Sequence, residues 1–250
     1  MSNYPRYAIY YAAAPASDLD RFGAGLLGYD AFSGEELPFP DGVLEAVPDW
    51  HELTSDPRKY GFHATLKAPF SLVQGKTEAE LFAACADFAA TPRAIPLFRP
   101  VVGSISGFIA VIPAEPPQAL LTLAADCVSE FDGFRAPLTE ADRARRKPAQ
   151  LTSAQREHLD RWGYPYVMEE FRFHMTLTGR LGSERREPIL AMLQSRFAST
   201  GLEMLAIDRI AVFRQDDAAS RFKIVGQWEL CAAASAAVQQ EQASARGSAL

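Results

Sequence analysis

The stretches YGFHATLKAPF (residues 60–70) and EFRFHMTLTGRL (residues 170–181) each contain the tetrapeptide His-x-Thr-Leu. The chain has four histidines and ten threonines in 250 residues, so a threonine two places after a given histidine is expected about 4% of the time. It occurs after two of the four, His63 and His174. That is roughly a one-in-a-hundred event when matches to a pattern are counted. The repetition indicates a shared role for two distant segments.

Both stretches alternate between apolar and polar residues in the way that is typical of a β-strand, whose successive side chains point to opposite faces. An ordinary half-buried strand with a solvated polar face would show the same alternation. Such a strand, however, has no reason to place histidine and threonine in register twice. The polar faces hold His63, Thr65 and Lys67 in the first stretch, and Arg172, His174, Thr176 and Arg180 in the second.

Each polar face combines a proton carrier, a hydroxyl group and a cation, which together suit a phosphodiester. Because the reference pKa of imidazole is about 6.5, one histidine can take a proton from water while the other protonates the departing alkoxide. Threonine hydroxyls can donate hydrogen bonds to the non-bridging oxygens, and cations stabilise the charge of the transition state. We predict His63 and His174 as catalytic acid and base, in either order, and Thr65 and Thr176 as substrate-binding residues.

The cations near the motifs have two interpretations each. Lys67 and Arg180 are candidates to contact the phosphate or a second anionic group, and the alternative is a solvated charge at a strand end. Arg172 is a weaker candidate, because it lies at the far end of its stretch. The basic run DRARRKP, residues 142–148, is either a lid or clamp for an anionic substrate or a solvated linker.

A metal site is not predicted. Zinc requires three or four ligands, and no third histidine, cysteine or acidic residue stands at ligand spacing near the motifs. We interpret His51 and His158 as solvated or structural histidines. The three cysteines are far apart and odd in number, which favours buried thiols over disulfides. No cofactor is expected.

Composition places the chain among soluble globular proteins, with 48% hydrophobic and 22% charged residues. The net charge of −6 and pI near 5.3 argue against a general duplex-binding surface, so nucleic acid is expected only as an end that carries a cyclic phosphate. The amino-terminal apolar run is too short to span a membrane and lacks the features of a signal peptide. We therefore expect a cytoplasmic protein without membrane association, and the oligomeric state stays open.

The order of predicted elements in the first half is broadly repeated in the second, which an internal duplication would explain. The pattern predicts helices near 17–28, 77–91 and 117–131 and a second His-x-Thr strand over 171–178. We predict an α+β fold of two lobes whose sheets meet with the two His-x-Thr strands facing a central cleft. The predicted divisions are an N-terminal lobe at 1–135, a basic connector at 136–152, a C-terminal lobe at 153–231 and a disordered tail at 232–250.

With two His-x-Thr-Leu motifs, one in each of two similar halves, the chain resembles members of the 2H phosphoesterase superfamily. The resemblance implies two ferredoxin-like lobes related by a pseudo-twofold axis, and metal-independent action on cyclic phosphates or on nucleic-acid ends that carry them. Over residues 6 to about 230 the sequence resembles that of a subfamily of uncharacterised bacterial proteins encoded beside phosphonate-utilisation genes. That similarity implies a small phosphorylated substrate, a cyclic ribose phosphate of phosphonate catabolism.

Two other functions remain open. The first is a 2′,3′-cyclic phosphodiesterase acting on RNA ends or nucleotides, which would need a basic groove or stacking aromatic residues beside the site. The second is a phosphate- or nucleotide-binding module that performs no chemistry. The residues themselves do not distinguish a 1,2-cyclic from a 2′,3′-cyclic ribose phosphate.

Overall fold

The computed structural model describes residues 4–233, so the predicted tail at 232–250 lies almost wholly outside the described residues. Within them the chain forms nine β-strands, which pair in antiparallel fashion. The strands are β1 Arg6–Tyr11, β2 Ala64–Ser71, β3 Leu97–Phe98, β4 Pro100–Ile105, β5 Phe108–Pro113, β6 Met175–Thr176, β7 Leu205–Ala206, β8 Arg209–Gln215 and β9 Lys223–Glu229.

Nine α-helices accompany the strands in the same part of the chain, and three short 3-10 helices lie at Phe131–Phe134, Pro148–Gln150 and Met168–Glu170. The α-helices are α1 Asp18–Leu27, α2 Val43–Ala46, α3 Trp50–Leu53, α4 Ser55–Arg58, α5 Glu78–Ala90, α6 Gln118–Glu130, α7 Glu140–Arg145, α8 Ser153–Trp162 and α9 Ser183–Ala198.

Local capping chemistry accounts for the ends of several helices. The Ser17 side chain accepts a hydrogen bond from the Asp20 amide at the start of α1, and Gly28 ends that helix in the left-handed conformation at φ 67°. Thr77 and Glu80 form a reciprocal capping box at the start of α5. The predicted helices near 17–28, 77–91 and 117–131 are therefore confirmed as α1, α5 and α6.

Seven strands form one sheet in the order β4-β5-β6-β2-β1-β8-β9, and β3 pairs with β7 in a separate ribbon. The two predicted His-x-Thr strands are thus hydrogen-bonded neighbours in one sheet, and do not belong to two sheets that face each other. Strands from the two predicted halves also interleave, because β4 and β5 pair beside β6 while β8 and β9 pair beside β1. The predicted lobe boundaries consequently do not separate two sheets.

The second His-x-Thr strand is much shorter than the prediction of 171–178, since β6 contains only Met175 and Thr176. The residues after it bind to Ile109 of β5 and to Leu53 at the end of α3 instead of continuing the ladder with β2. The Thr178 hydroxyl accepts a hydrogen bond from the Ile109 amide at 3.0 Å, and the Gly179 amide donates to the Leu53 carbonyl at 2.7 Å. These bonds satisfy the backbone away from β2 and end the strand early.

The alternation read from the sequence sorts side chains correctly. The apolar face of both stretches is buried in one large hydrophobic core, and full burial of such side chains stabilises the fold by about 1.5–3 kcal/mol each. A smaller buried cluster lies around Tyr10, Tyr29, Phe213 and Phe222. The core residues contributed by the two stretches are Phe62, Ala64, Leu66, Phe70, Phe171, Phe173, Met175, Leu177 and Leu181.

The segment predicted as a basic connector, 136–152, has structure of its own. It contains α7, at whose start the Thr139 side chain accepts a hydrogen bond from the Asp142 amide, and the 3-10 helix Pro148–Gln150. No helix within residues 4–233 combines the length and the apolar character needed to cross a membrane.

We predict that Met175→Ala destabilises the protein by about 2–5 kcal/mol, because Met175 is fully buried at the junction of β5, β6 and β2 and its truncation leaves a cavity. Met204→Ala is the matched control, since Met204 is 48% exposed and the same change there should cost less than about 0.5 kcal/mol. Urea unfolding of both variants measures the difference. Equal losses would contradict the junction as described.

Candidate active site

The pairing of β2 with β6 sets the relative positions of the two motifs. Ala64 lies opposite Met175 in this antiparallel pair. Continued by one residue on each side, that register places His63 opposite Thr176 and Thr65 opposite His174. Direct cross-strand neighbours have Cβ atoms about 4.5–5.5 Å apart, and diagonal neighbours such as the two histidines lie about 7–8 Å apart. The continued register therefore directs both imidazoles and both threonine side chains to the same face of the sheet.

Both imidazole rings are oriented in the same way by their own backbone. Nδ1 of His63 lies 2.9 Å from the Gly61 carbonyl oxygen, and Nδ1 of His174 lies 2.7 Å from the Arg172 carbonyl oxygen. A carbonyl oxygen can only accept a hydrogen bond, so Nδ1 carries the hydrogen in each ring and Nε2 is the nitrogen left for chemistry. Nε2 of His63 lies 3.3 Å from the Thr65 hydroxyl oxygen.

The carbonyl that orients His63 belongs to a glycine whose backbone suits no other residue. Gly61 has φ +73°, in the left-handed region, and a Cβ placed there would come within 2.7 Å of the Ala31 Cβ. Gly61 is therefore a positioning residue for His63. The sequence analysis assigned no role to Gly61. The signal that could have indicated its role is a glycine two places before a candidate catalytic histidine.

Tyr10 of β1 forms one wall around His63. The two rings stack with centroids 3.9 Å apart and planes inclined by 20°. Burial raises the pKa of Tyr10 well above its ordinary value, with Tyr60 and Tyr164 adding to the rise while Arg6 and the Thr65 side chain oppose it. Tyr10 stays a neutral phenol. Tyr10 is both buried in the core and in contact with a candidate site residue.

Burial also controls the proton affinity of the two histidines. It lowers the pKa of His63 to about 4; the hydrogen bond to Gly61 opposes this, and the charge of His174 adds to it. Burial likewise lowers the pKa of His174, again against its backbone hydrogen bond. Because the charge of His174 is felt at His63, the two rings share one electrostatic environment. Both imidazoles are held in the neutral form near neutral pH.

A cavity of about 270 Å³ opens beside His174. Its wall combines predicted site residues with aromatic side chains, and it meets His63 through the hydroxyl of Thr65. The Arg172 guanidinium lies near the rim and donates hydrogen bonds to the carbonyls of Glu169 and Phe171. The polar and aromatic lining residues are Thr65, Ser106, Phe108, Tyr164, Tyr166, Glu170, Phe171, Arg172, His174 and Arg180.

Lys67 does not join this cavity. Its side chain is 3% exposed, and Nζ donates to the Val128 carbonyl at 2.8 Å and to Asp132 Oδ1 at 3.1 Å. Burial lowers the pKa of Lys67, although Asp132 opposes the shift. The predicted contact of Lys67 with a phosphate beside His174 is therefore corrected. The reason is tertiary: α6 packs against β2 and supplies the Val128 carbonyl to the ammonium.

The remaining candidates lie elsewhere. His51 is exposed on α3, and Nε2 of His158 lies 2.9 Å from Glu169 Oε1. Two arginines of the basic run 142–148, Arg145 and Arg146, line a second cavity between β2 and the end of α8. Among residues 4–233, no group of three or more histidine, cysteine, aspartate or glutamate side chains is arranged to hold a metal ion.

Comparison with known proteins gives a family match over most of the chain. A family model described as "Protein of unknown function (DUF1045)" matches residues 65–223. This confirms the expected resemblance to a family of uncharacterised proteins. Residues 65–223 contain Thr65, His174 and Thr176 and every residue that lines the cavity beside His174, but they begin two residues after His63.

Two curated relatives carry the name ribose 1,5-bisphosphate phosphokinase PhnN. The protein from Janthinobacterium sp. (strain Marseille) is 38% identical over 217 residues, which are 84% of this chain and 48% of that protein. The protein from Laribacter hongkongensis (strain HLHK9) is 30% identical over 221 residues, which are 88% of this chain and 50% of that protein. The chain thus spans about half the length of these relatives.

Three similar solved structures are a "phosphoesterase" and E. coli LigT with NADP+ and with ATP. They are 12%, 13% and 14% identical to this chain and cover 91%, 92% and 91% of it, with 99% of each of those chains covered. The TM-score is 0.40 in each case. At that level the likeness carries no argument about this molecule.

We predict that NMR titration of the four histidines shows His63 with a pKa of about 4 and His174 with a pKa below 6.5. In His174→Ala the pKa of His63 should rise, because a neighbouring positive charge and part of the burial are both removed. His158→Ala is the control, since it removes a distant histidine. A His63 resonance that titrates near 6.5 would contradict the enclosed site.

The same shift predicts a pH dependence of stability. The folded state holds the pKa of His63 below the value of about 6.5 expected in the unfolded chain, so the unfolded state binds more protons between these values. The contribution of neutral His63 to the free energy of unfolding is complete above pH 6.5 and is lost as the pH falls towards 4. Urea unfolding across this range should show a shallower loss for His63→Gln than for the wild type. Identical slopes would argue against a buried neutral His63.

We predict that Gly61→Ala costs about 1–3 kcal/mol more stability than Gly75→Ala. Both glycines have positive φ, but only Gly61 has a neighbour, Ala31, within clashing distance of a new Cβ. The pair of variants therefore separates crowding from backbone strain. Urea unfolding measures the difference, and the His63 ring resonances should shift only in Gly61→Ala. Equal effects would remove Gly61 as a positioning residue.

Proposed function

This chain belongs to the DUF1045 family of proteins of unknown function, and on that premise we propose that it is a metal-independent phosphodiesterase that hydrolyses a small cyclic phosphate. The observation that supports the proposal is the pairing of Ala64 with Met175 between β2 and β6. Continued by one residue on each side, this register would set each histidine beside the threonine of the other motif, so that an acid, a base and two hydroxyl donors would surround one phosphate group.

We assign His63 as the general base and His174 as the general acid. His63 is stacked under Tyr10 and has a pKa lowered to about 4, so Nε2 keeps its lone pair over the physiological range. His174 lies on the wall of the open cavity. A bound phosphate anion there would favour the imidazolium form, because an opposite charge stabilises it. The environments of the two rings thus separate their proton affinities.

The chemical step balances in protons and bonds. A water molecule attacks phosphorus and loses a proton to Nε2 of His63, so a new P–O bond forms. The P–O bond to one sugar oxygen breaks, and Nε2–H of His174 protonates the departing alkoxide. The product is a phosphate monoester with a free hydroxyl. His63 then carries the extra proton and His174 lacks one, and exchange with solvent restores the starting state.

Neutral hydroxyl donors and arginine side chains would stabilise the negative charge on the phosphate. The hydroxyls of Thr65 and Thr176 lie next to the opposing imidazoles in the register and can donate to the non-bridging oxygens. Arg180 and Arg172 supply positive charge at the cavity, although the Arg172 guanidinium also donates to two backbone carbonyls. Arg180 is the stronger candidate for direct contact.

A cyclic ribose phosphate is the substrate class that we favour. The relatives are named for a kinase acting on ribose 1,5-bisphosphate, and this chain matches about half of each. Similarity to part of such proteins supports a phosphorylated ribose as the substrate of this chain. The resemblance to phosphonate-associated 2H proteins supports the same class, and opening of a cyclic ribose phosphate would belong to phosphonate catabolism.

A nucleotide substrate is the second candidate, and the aromatic wall of the cavity favours it. Tyr164 and Tyr166 form an edge-to-face pair with centroids 5.6 Å apart, and Phe108 lies 5.5 Å from the His174 ring. Tyr166 is 48% exposed, which leaves its ring available for stacking on a base. Nucleoside 2′,3′-cyclic phosphates and RNA ends that carry them are therefore included in the test.

We predict that wild-type protein hydrolyses a cyclic ribose phosphate in the presence of EDTA, and that His63→Ala and His174→Ala each lower kcat by about 10²–10⁴. The test measures release of phosphate monoester from ribose 1,2-cyclic phosphate, a nucleoside 2′,3′-cyclic phosphate and an RNA with a cyclic end. The pH profile of kcat/KM should fall on the acid side as His63 is protonated, near pH 4, and on the alkaline side as His174 loses its proton.

His51→Ala and His158→Ala are matched controls and should keep wild-type rates, because both side chains lie away from the motif register. Turnover that requires a divalent metal, or losses below threefold in both site variants, would overturn the proposal. Binding of a cyclic phosphate without product, at an affinity unchanged in His63→Ala, would instead support a non-catalytic binding module.

A further inference from the structure

A second cavity of about 230 Å³ adjoins the candidate active site and is lined by an unusual number of cations. The chain as a whole carries a net charge of −6, so this cluster of positive side chains is opposite in sign to the charge of the whole protein. The cavity lies between β2, the segment around α7 and the end of α8. Its charged lining residues are Arg6, Lys67, Arg135, Arg145, Arg146 and Asp142.

Part of this positive charge is neutralised inside the protein. Lys67 and Arg135 both pair with Asp132, with nitrogen to oxygen distances of 3.1 and 2.8 Å. Arg145 pairs with Asp142, which also accepts a hydrogen bond from the Thr139 hydroxyl. Of the five cations that line this cavity, three are therefore paired with a carboxylate, either Asp132 or Asp142.

The other two cations contact neutral groups. Arg146 lies over the Tyr164 ring at 4.8 Å, and Arg6 donates to the Gln215 side-chain oxygen and lies over the Phe222 ring at 5.6 Å. Among the ion pairs of residues 4–233, neither Arg6 nor Arg146 has a carboxylate partner. Two guanidinium groups in one concave surface are suited to binding an anion such as a phosphate.

The cationic cavity shares a wall with the cavity beside His174. Ala68, Tyr164 and Val167 line both cavities. Arg6 and Tyr164 also act electrostatically on Tyr10, whose ring stacks on His63. Along β2, Thr65 lines the cavity beside His174, and Lys67, two residues further on and about 7 Å away at the rise of a strand, lines the cationic cavity. A pentose that carries a phosphate group at each end is long enough to span such a distance.

We propose that this cavity binds a second anionic group of the substrate, so that the protein acts on cyclic sugar phosphates that carry a further phosphate. The inference rests on the proposed function and narrows its substrate class. Arg146 provides the main contact from the segment 142–148, and Arg6 provides charge from β1. Within the basic run, Arg146 then acts as a substrate clamp, which was one of the two interpretations of the run from sequence, while Arg143 lies outside the cavity.

The test compares ribose 1,2-cyclic phosphate with the same compound carrying a 5-phosphate. We expect wild-type protein to prefer the 5-phosphorylated substrate, and Arg146→Met to lower the ratio of the two kcat/KM values by about 10- to 100-fold, since a hydrogen bond to a charged group is lost. Arg146→Lys should restore part of the ratio, because it keeps the charge but loses the planar fork.

Arg143→Met is the matched control. Arg143 stands on the same helix, α7, but pairs with Asp160 at 2.6 Å and lies outside the cationic cavity. Its substitution should leave the ratio unchanged. Calorimetric titration with ribose 5-phosphate supplies a readout that needs no turnover, and its Kd should rise by a similar factor in Arg146→Met and stay constant in Arg143→Met.

The outcomes separate this inference from the proposed function. If both substrates are hydrolysed and Arg146→Met lowers their kcat/KM values equally, Arg146 contacts the reacting phosphate and the second-anion inference is overturned. Equal use of the two substrates by the wild type also overturns it. If neither is hydrolysed but binding of ribose 5-phosphate depends on Arg146, the anion site stands and the hydrolase proposal fails.

Discussion

The hydrogen-bonded pairing of β2 with β6 is the constraint on which the candidate site depends. Residues more than a hundred positions apart meet at Ala64 and Met175, and this single register pair joins the two sides of the seven-stranded sheet. Because side chains alternate along a strand, a slip of one residue would turn His174 to the core face and separate the two imidazoles. The buried apolar faces of both stretches oppose such a slip, so packing and site geometry are specified together.

The site balances desolvation against backbone hydrogen bonds. Taking an imidazole out of water disfavours its charged form, while a carbonyl acceptor at Nδ1 favours it. Desolvation is the larger effect for both His63 and His174. The carbonyls of Gly61 and Arg172 nevertheless decide which nitrogen carries the hydrogen. Electrostatics thus set the protonation state, and local backbone geometry sets the direction of proton transfer.

Charge is distributed unevenly around this site. An acidic chain repels anions at long range, so an anionic substrate must be held by local groups at short range. Arginines from β1, from the segment around α7 and from the segment after β6 line the two cavities in which we propose that such an anion binds. Tyr10 stacks on His63, and Tyr164 lines both cavities. Burial raises the pKa of both tyrosines, so their rings add no charge.

Much of the local structure was predictable from sequence. Ser17 and Gly28 mark the ends of α1, Thr77 with Glu80 marks the start of α5, and the alternation of the two stretches sorts core from polar residues. These features follow from short-range chemistry, namely capping bonds and the two-residue period of a strand. The chemical types of the candidate site, histidine and threonine in register, were determined at the same level.

The tertiary structure alone decided which strands are neighbours and where long side chains end. It made the His-x-Thr strands partners in one sheet, shortened the second to two residues and directed the Lys67 ammonium to Val128 and Asp132. It also placed Tyr10 on His63 and gathered Arg6 and Arg146 at one cavity. These outcomes depend on contacts between residues far apart in the chain, for which local periodicity carries no information.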